Sequence, residues 1–510
     1  MNRRELLLGS AASTGFAALP SRAAPLDETY QSFHRNLLTK PWLRLYEGVH
    51  EEDTGYQLCE VEGTWPAGLV GSLYRNGPGR MERDGRRYQH WFDGDGLLQR
   101  WWIDGNGAVL HRARLIQTTK YLADERRNEL SRVGFGTHSN DPIPGPPGTE
   151  GLNVANISIL PRADELWALW EGGAPWRINP QTLRTTGLLA LSDETSGLPF
   201  SAHPRVESDG TVWNFGYFSP RNMMIIWRLR PGDIEPKIWL HLTEPMSMPH
   251  DFLITKNHLV IPLPPLHFEL QEDMTTFLDA HVWHPELPVQ VMVLDKNDPN
   301  KRFNVELPTQ WIFHYANAWE DEQGAIRFEG PSFDNPNLMF DTFRAIMRGS
   351  TPSLAYTSQL TRYTVDTRRQ TATQEAIGPT DVSSEFPVID QRLTGARYRW
   401  LTMLSQNASA STQGKLGMFN GVSRINLDTG AVGSFQYPTE EAPEEHLFVP
   451  KPGSQSETDG WLLGTSLDYV NLRTHLNVFE LEQALPKMVA RATLPKLMPL
   501  GLHGKFVAAT

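Results

Sequence analysis

Short runs of hydrophobic residues separated by turn residues follow one another along the chain from about residue 60. In the stretch WWIDGNGAVLHRARL (101–115), two runs with alternating hydrophobic and polar positions flank an Asp-Gly turn, which predicts a β-hairpin. The same arrangement recurs in VESDGTVWNFGYF, in SETDGWLLGTSL and, with a longer loop, in AWEDEQGAIRFEG. The pattern therefore predicts a fold made mostly of short antiparallel strands.

A second pattern recurs along the chain: a hydrophobic strand end, then Asp or Asn, then polar turn residues. It occurs in WRINPQTLRTTG, VMVLDKNDPNK, RYTVDTRRQTAT and SRINLDTGAVG, which align on Ile178, Leu294, Val365 and Ile425. The gaps between these positions are 116, 71 and 60 residues, so the repeat has no strict period. Such spacing suits propeller blades of roughly 40–60 residues that carry insertions.

One stretch has the spacing of a helix. In NPNLMFDTFRAIMRG (335–349), hydrophobic residues recur at helical intervals at Met339, Phe343, Ile346 and Met347. So short an apolar face is typical of a helix packed on a sheet rather than of a helix that touches a membrane.

The chain shows no sign of a division into separate folded units. No linker rich in Gly, Ser or Pro interrupts it, and the proline-dense segment NDPIPGPPG (140–148) is short enough to be a loop. Hydrophobic residues make up 39% and aromatic residues 10% of the chain, which is enough to bury a large core. We therefore expect residues 24–510 to form a single domain.

The first residues, MNRRELLLGSAASTGFAALPSRAAP, have the features of an export signal. Arg3 and Arg4 precede the apolar Leu6–Leu8, as in a twin-arginine signal, and small residues follow where a signal peptidase cuts. We predict that residues 1–23 are removed by cleavage near Ala23 and that the mature protein is periplasmic. No later stretch has 18 consecutive apolar residues, so we predict no membrane-spanning helix.

Charge and cysteine content exclude several classes of function. The formal net charge is −12, and no basic stripe interrupts the acidic chain, which argues against nucleic-acid binding. Cys59 is the only cysteine, so the chain has no intrachain disulfide and no cysteine-rich metal cluster.

Four histidines stand in similar surroundings, each between apolar or small residues at the edge of a strand-like run. FSAHPRV contains His203, MSMPHDFLIT contains His250, IFHYANAWED contains His314 and MPLGLHGKFV contains His503. A lone histidine of this kind is usually a core residue, but the gaps of 47, 64 and 189 residues would let a ring of blades bring all four to one axis. Imidazole is a good ligand for iron, copper or zinc.

These stretches, together with GSLYRNGPGR and HWFDGDGLLQR near the N-terminus, resemble the carotenoid cleavage oxygenases. The resemblance extends from about Gly71 to Lys505, and HDFLIT, FHYANAWED and GLHGKF are its most specific matches. It implies an all-β, seven-bladed β-propeller with a helical cap over the metal-site face. It also implies one Fe²⁺ per chain on the propeller axis, held by His203, His250, His314 and His503.

The same family places a glutamate behind three of the four histidines. The corresponding residues are Glu171 in LWALWEGGAP, Glu385 in SSEFPVID and Glu445 in EEHLFVPKPG, where the neighbouring Glu444 is an alternative to Glu445. A carboxylate that accepts the distal N–H of a ligand imidazole fixes its tautomer and orientation.

The resemblance implies a dioxygenase that cleaves a conjugated C=C bond with O₂ into two carbonyl products. Its substrate would be small and apolar, an apocarotenoid or alternatively a phenolic stilbene; contact with a membrane surface is compatible with either, and no obligate protein partner is evident. A phenol-binding enzyme needs a lysine or tyrosine in its pocket, but we expect Lys120 and Tyr121 to be exposed strand residues. The alternatives of another class are a non-catalytic periplasmic propeller that binds a metal or an apolar ligand, and a calcium lactonase with acids and asparagines on its axis.

Overall fold

A computed structural model describes residues 26–130, 134–138, 149–233, 235–270, 276–351, 357–380, 382–407, 419–482 and 484–509. The predicted signal peptide and the predicted loop at residues 140–148 lie outside these ranges, and both remain predictions.

Seven antiparallel sheets of four or five strands follow one another along the chain as the blades of a β-propeller, which confirms the predicted fold. The strands of blades 1 to 3 are, in chain order within each blade, β1 (Gln57–Leu58), β3 (Gly71–Arg80), β6 (Asp95–Ile103), β7 (Val109–Leu115) and β34 (Gly504–Ala508); β8 (Ser158–Arg162), β9 (Glu165–Leu169), β10 (Trp176–Ile178) and β11 (Thr185–Leu188); β12 (Arg205–Val206), β13 (Val212–Phe218), β14 (Met223–Leu229) and β15 (Lys237–Leu242).

The remaining blades have the same up-and-down order. The strands of blades 4 to 7 are β16 (Leu253–Ile254), β17 (His258–Leu263), β20 (Val289–Asp295) and β21 (Arg302–Leu307); β22 (Ala318–Glu320), β23 (Ile326–Ser332), β24 (Gln359–Asp366) and β25 (Thr371–Ala376); β26 (Val382–Val388), β27 (Trp400–Asn407), β28 (Gly421–Asn426) and β29 (Val432–Gln436); β2 (Glu60–Gly63), β30 (Glu441–Pro450), β31 (Gly460–Asp468), β32 (Arg473–Glu482) and β33 (Leu485–Leu494). Two short ribbons stand outside the blades: β4 (Glu82–Arg83) with β5 (Arg86–Arg87), and β18 (Leu266–Phe268) with β19 (His281–Trp283).

The ends of the chain close the ring. Strand β34, from the C-terminus, pairs with β3 and completes blade 1, while β2, from the N-terminal region, pairs with β33 at the other edge of blade 7. Closure from both ends ties the first and last blades together without leaving the ring open between them.

The hairpins predicted from the hydrophobic pattern are present. The stretch 101–115 contains the paired strands β6 and β7, and the repeated strand-end motif forms the turn between the third and fourth strands of blades 2, 4, 5 and 6. The four aligned residues of that motif are all buried, so each anchors its blade in the apolar interior: Ile178, Leu294, Val365 and Ile425.

Helices are few among the described residues. They are α1 (Leu26–Leu37), α2 (Thr119–Arg127), α3 (Phe343–Met347), a π-helical turn (Leu338–Thr342) and 3₁₀ turns at Pro41–Tyr46, Trp91–Asp93, Thr149–Gly151, Ser219–Arg221, Leu278–Ala280 and Gln391–Leu393. The predicted helix at 335–349 is therefore confirmed, and its Met339, Ile346 and Met347 are buried as expected of a packed helix. No helix in the described ranges is long and apolar enough to cross a membrane.

The prediction for Lys120 and Tyr121 is wrong. Both lie on α2, and both are buried, with relative exposures of 0% and 1%. Thr118 caps the helix by accepting a hydrogen bond from the Tyr121 N–H, and Asn128 ends it in the left-handed conformation. A threonine N-cap and an asparagine C-cap are helix signals that outweigh the strand-like composition around them.

Candidate metal centre

Four histidines from four blades meet at one point. The Nε2 atom of His250 lies 3.2 Å from that of His203 and 3.3 Å from that of His314, whose Nε2 lies 3.1 Å from that of His503. Each side chain is 11–12% exposed, so the cluster is enclosed but can be reached. The four histidines singled out from the sequence are therefore together in space.

The propeller explains how residues so distant in sequence come together. His203, His250, His314 and His503 each stand within four residues before the edge strand that begins or completes a blade, namely β12, β16, β22 and β34. Equivalent positions on successive blades point toward the same axis, so one residue from each of several blades can share a site. Imidazoles, rather than acids and asparagines, meet here, which argues against the calcium-lactonase alternative.

Carboxylates behind the histidines fix which ring nitrogen faces the centre. The Nδ1 of His314 lies 2.6 Å from Oε2 of Glu385, and the Nδ1 of His503 lies 3.0 Å from Oε1 of Glu445. Because a carboxylate accepts the hydrogen bond, Nδ1 must carry the proton in both rings, and Nε2 carries a lone pair.

The chemistry of this donor set fits a metal ion. Lone pairs on Nε2 atoms 3.1–3.3 Å apart repel one another. A hydrogen bond between two Nε2 atoms would need a proton on one of them, and in a ring protonated on Nδ1 the Nε2 atom has none to give. Four nitrogens bound at about 2.1 Å to one ion would be roughly 3.0–3.4 Å apart. The spacing of the imidazoles therefore matches that required for a single transition-metal ion.

Glu171 stands differently from the other two acids. Its Oε1 lies 3.1 Å from Nδ1 of His250 and 3.8 Å from Nε2 of His203. Neither approach has the alignment of a hydrogen bond, and both carboxylate oxygens are buried without a hydrogen-bond partner among the described residues. Glu171 thus supplies negative charge beside two of the imidazoles, and its closest partner is His250.

A β-bulge orients the side chain of each of the other two acids, Glu385 and Glu445. In blade 6 the pairing of β26 with β27 shifts between Glu385 and Val388, and in blade 7 the pairing of β30 with β31 shifts between Pro443 and His446. A bulge places an extra residue on one strand and bends it, so a side chain can be turned out of the regular alternation. This bend directs Glu385 toward His314.

The bulge in blade 7 also shows which of the two neighbouring acids, Glu444 or Glu445, contacts His503. Glu444 and Glu445 both point into the protein, because together they face one residue, Thr465, on β31. Glu445 meets His503, and its other oxygen accepts the N–H of Gly504 at 2.7 Å. Glu444 instead accepts hydrogen bonds from Thr465 and from the N–H of Gly501. The contact with the histidine is therefore made by Glu445.

Burial and the neighbouring charges shift the pKa values of three of the axial histidines and of Glu445. Burial, reinforced by the three neighbouring imidazoles, lowers the pKa of His203 well below its usual value. Burial also lowers the pKa of His503, whereas for His314 the contact with Glu385 outweighs burial and raises the pKa. Burial opposes ionisation of Glu445, but His503 outweighs it and lowers the pKa of that carboxyl to about 2. A neutral imidazole with a charged carboxylate behind it is a strong metal ligand.

A salt bridge that the sequence reasoning missed ties three of the histidine segments together. Asp251, next to His250, accepts two hydrogen bonds from Nη2 of Arg205 at 2.7 and 2.8 Å and one from the N–H of Tyr315 at 2.8 Å. Arg205 follows His203 by two residues, and Tyr315 follows His314 directly. The signal was present in the sequence as charged residues beside ligand-like histidines, in HPR and HD.

Aromatic rings surround the cluster. The ring of Phe386 stacks on His314 with centroids 5.1 Å apart, and Phe313 meets the edge of His250 at 5.6 Å. Phe313 belongs to a buried apolar cluster that also contains Met339 from the π-helical turn. The π-helical turn thus adjoins the same apolar region as the histidines, and that region suits an apolar ligand.

Comparisons with known proteins agree with the geometry. Residues 46–508 match the family model RPE65, described as retinal pigment epithelial membrane protein. The chain is 28% identical over 497 residues to apocarotenoid-15,15'-oxygenase from Synechocystis sp., covering 92% of this chain and 97% of that protein. It is 26% identical to resveratrol cleavage oxygenase 1 from Aspergillus fumigatus, with 88% and 91% covered.

A solved structure has the same fold over nearly its whole length. The crystal structure of the cobalt-substituted apocarotenoid oxygenase from Synechocystis superposes with a TM-score of 0.81 and 26% sequence identity. The match covers 92% of this chain and 98% of that one, so the two chains share one overall fold.

Proposed function

The chain belongs to the RPE65/carotenoid cleavage oxygenase family and is a metal-dependent dioxygenase that cleaves a C=C bond, and we propose that its metal is Fe²⁺ and its substrate an apocarotenoid. The single observation that carries the proposed metal site is the convergence of four Nε2 atoms, with successive distances of 3.1–3.3 Å and carboxylates behind the rings, and the choice of Fe²⁺ follows the resemblance to the carotenoid cleavage oxygenases.

The proposed ligands are His203, His250, His314 and His503, for one Fe²⁺ per chain. Four neutral imidazoles leave the ion doubly charged, and imidazole is a ligand that suits iron. When bound, the iron supplies the position at which O₂ is activated. A set with no carboxylate among the ligands differs from the two-histidine, one-carboxylate arrangement of many other iron oxygenases.

Protein groups would hold this site in place before the substrate arrives. Glu385 and Glu445 keep Nδ1 of their histidines protonated, so that Nε2 stays an electron-pair donor toward the metal. The salt bridge between Asp251 and Arg205 fixes the backbone next to two ligands. Phe313 and Phe386 reduce the access of water around the rings.

The proposed reaction uses one molecule of O₂ for one double bond. The polyene and O₂ would give two aldehydes or ketones in equal amounts, so that no separate reductant is needed. The proposal of an apocarotenoid is supported by the similarity to the Synechocystis apocarotenoid oxygenase and by the apolar, aromatic surroundings of the histidines. A shortened polyene with a polar end also reaches an exported enzyme more readily than an intact carotene does.

A phenolic stilbene is the second candidate, since one relative cleaves resveratrol according to its name. Such a substrate calls for a group that binds a phenol. The ammonium of Lys120 already has Asp124 at 2.9 Å and the hydroxyl of Tyr88 as partners, and its side chain is 1% exposed. We therefore assign Lys120 no role in substrate binding and keep the apocarotenoid as the main proposal.

Product analysis tests the proposal. The iron-loaded enzyme is incubated with an apocarotenal and, separately, with a hydroxystilbene, under air and under nitrogen, and the products are identified by mass spectrometry. We expect two carbonyl fragments from the apocarotenal under air only. Cleavage of the stilbene alone would identify a phenolic stilbene as the substrate instead of an apocarotenoid. Equal turnover under nitrogen would overturn the oxygenase mechanism.

Export and membrane contact complete the proposal. We propose that the folded, iron-loaded protein is exported by the twin-arginine route, which would allow the metal to be inserted in the cytoplasm. Replacing Arg3 and Arg4 by lysine should then retain the protein inside the cell, and unchanged periplasmic fractionation would contradict this.

We also propose that the enzyme contacts membrane surfaces, because an apolar polyene partitions into them. Failure of the protein to co-sediment with lipid vesicles would contradict this proposal.

A further inference from the structure

A second group of metal-ligating side chains lies on the ribbon formed by β18 and β19, which follows β17 but belongs to none of the seven blades. Side-chain donor atoms of His267, Glu269 and His284 all lie within 4.8 Å of one another. None of these residues belongs to a histidine stretch of the axial centre, and nothing in the oxygenase mechanism uses them. We propose that they form a peripheral binding site for a divalent transition-metal ion, with Zn²⁺ as the ion of best-matching chemistry.

The ribbon brings the three residues together from both of its strands. His267 on β18 is paired with Val282 on β19, and Glu269 follows His267 by two residues, so the two project from the same face. The backbone N–H of Glu269 donates to the carbonyl of Ala280, and that of His284 donates to the carbonyl of Pro265. The site is therefore fixed by hydrogen bonds between the strands rather than by one mobile loop.

The donor geometry resembles a half-assembled zinc site. Nε2 of His284 lies 2.6 Å from Oε1 of Glu269, and the rings of His267 and His284 are 5.1 Å apart with an angle of 34° between them. Two imidazoles and one carboxylate are a ligand set that zinc takes, with water in the fourth position. The side chains of His284 and Glu269 are 25% and 44% exposed, so an ion and its water can reach them.

A second carboxylate orients His284 in the way seen at the axial centre. Nδ1 of His284 lies 3.1 Å from Oε1 of Glu286, which leaves Nε2 directed at Glu269. This repeats the relation of Glu385 to His314, in which the acid holds the far nitrogen of the ring. Because carboxylates accept at both nitrogens of His284, an ion bound here would displace the Nε2 proton that Glu269 accepts and would itself bridge the two side chains.

An ion at this position would join the two strands of the ribbon and stiffen it. The 3₁₀ turn that leads into β19 contacts the body of the protein, because the N–H of Leu278 donates to the carbonyl of Phe135 at 2.8 Å. Leu266 and Leu278 are fully buried in the apolar cluster that contains Phe135 and Phe313, and Phe313 touches His250. The proposed zinc would thus stabilise one wall of the region next to the axial histidines.

Metal analysis of the iron-loaded, full-length protein tests the proposal. The protein is dialysed against a series of free ZnCl₂ concentrations, and zinc and iron per chain are both measured. We expect one zinc to be gained with the iron retained, and a higher melting temperature with zinc than without it. Gain of no zinc, or gain of zinc only in exchange for an equal amount of iron, would overturn the proposal.

Variants locate the zinc. His284→Ala and Glu269→Gln should weaken zinc binding by at least about tenfold and remove the rise in melting temperature, and Glu286→Gln should weaken binding by about tenfold. His258→Ala is the matched control, since His258 pairs with a single acid, Glu320, at 3.0 Å and should keep the zinc. Circular dichroism and retained iron establish that each variant is folded. Full zinc binding by the His267→Ala/His284→Ala double variant would show that the site is not on this ribbon.

Discussion

Two of the buried polar clusters in the described part of the chain are built on opposite principles. One is the axial group of four histidines. The other, here called the Lys120 cluster, consists of Arg83, Tyr88, Asp95, Lys120 and Asp124, all at most 2% exposed. Burying polar groups costs free energy in both clusters, but only in the axial group do electron-pair donor atoms face one another.

The Lys120 cluster neutralises itself. Nζ of Lys120 lies 2.9 Å from Oδ2 of Asp124 and 3.5 Å from Oδ1 of Asp95, and Nη1 of Arg83 lies 2.7 Å from Oδ2 of Asp95. Two cations balance two anions, and Tyr88 accepts a hydrogen bond from Lys120. The network ties α2 to blade 1, and Nε of Arg83 extends it to Oε1 of Glu125 on α2 at 2.9 Å.

The axial cluster, by contrast, is complete only with a cation. Its acids occupy the outer nitrogens of His314 and His503, so the inner nitrogens converge as unshared acceptors. The difference teaches that buried charge alone does not mark a functional site. A metal site is marked instead by electron-pair donors that face one another, because the outer nitrogens of their rings are already hydrogen-bonded to carboxylates.

The largest effect should follow from removing an axial histidine. His314→Ala takes away one proposed ligand and the ring on which Phe386 stacks, so we expect loss of stoichiometric iron and a fall in kcat of more than about 100-fold. Elemental analysis and O₂ uptake measure this, with His258→Ala as the control that should keep both. A His314→Ala protein with full iron and full turnover would remove His314 from the ligand set.

Breaking the Lys120 cluster should affect folding instead of the metal. Lys120→Met leaves Asp124 without its nearest cation, which typically costs about 3–5 kcal/mol in the free energy of unfolding. Denaturant unfolding measures the loss, while iron per folded chain should stay unchanged. The double variant Lys120→Met/Asp124→Leu should recover part of the stability, because it removes both charges of the pair. A loss of iron at unchanged stability would erase the distinction between the two clusters.

Removing the charge behind a ligand should have an intermediate effect on the metal. Glu385→Gln keeps the shape of the side chain but weakens its hydrogen bond with His314, so we expect iron affinity or turnover to fall by about 10–100-fold. Competition with a chelator measures the affinity. Glu320→Gln is the matched control, because Glu320 pairs with His258 outside the axial centre. Equal effects of the two variants would contradict a role that acts through His314.

The smallest effect should separate two adjacent acids. Glu445→Gln should weaken iron binding, by an amount near the lower end of the range expected for Glu385→Gln, because it contacts His503. Glu444→Gln should leave iron affinity unchanged and lower stability, because Glu444 holds Gly501 and Thr465 in place. Iron titration and unfolding curves are compared for the pair. The reverse pattern would exchange the roles of the two residues.

Much of the fold could be predicted from the sequence, since hairpin turns are local signals. The aligned strand ends at Ile178, Leu294, Val365 and Ile425 each mark the same turn in a different blade, although insertions hide the period. The four axial histidines could be picked out because their flanking motifs are specific. Their convergence, however, depends on ring closure by β2 and β34 and is not visible in spacing.

Other features depend on geometry that a sequence does not contain. Both Glu444 and Glu445 face inward only because a bulge interrupts the strand, and no residue pattern predicts that bulge. Lys120 is a different case: the caps of its helix, Thr118 and Asn128, are visible in the sequence, and the strand prediction was wrong because it followed the composition around them. Asp251 and Arg205 stand out in the sequence as charged residues beside candidate ligands, but their pairing joins neighbouring blades and follows only from packing.

The most direct test of the central claim is anomalous X-ray diffraction from crystals of the iron-loaded protein, recorded on both sides of the iron absorption edge. We predict one strong iron peak per chain, lying between the Nε2 atoms of His203, His250, His314 and His503 at about 2.1 Å from each. An iron peak elsewhere, or an active protein with no iron between these four imidazoles, would contradict the account.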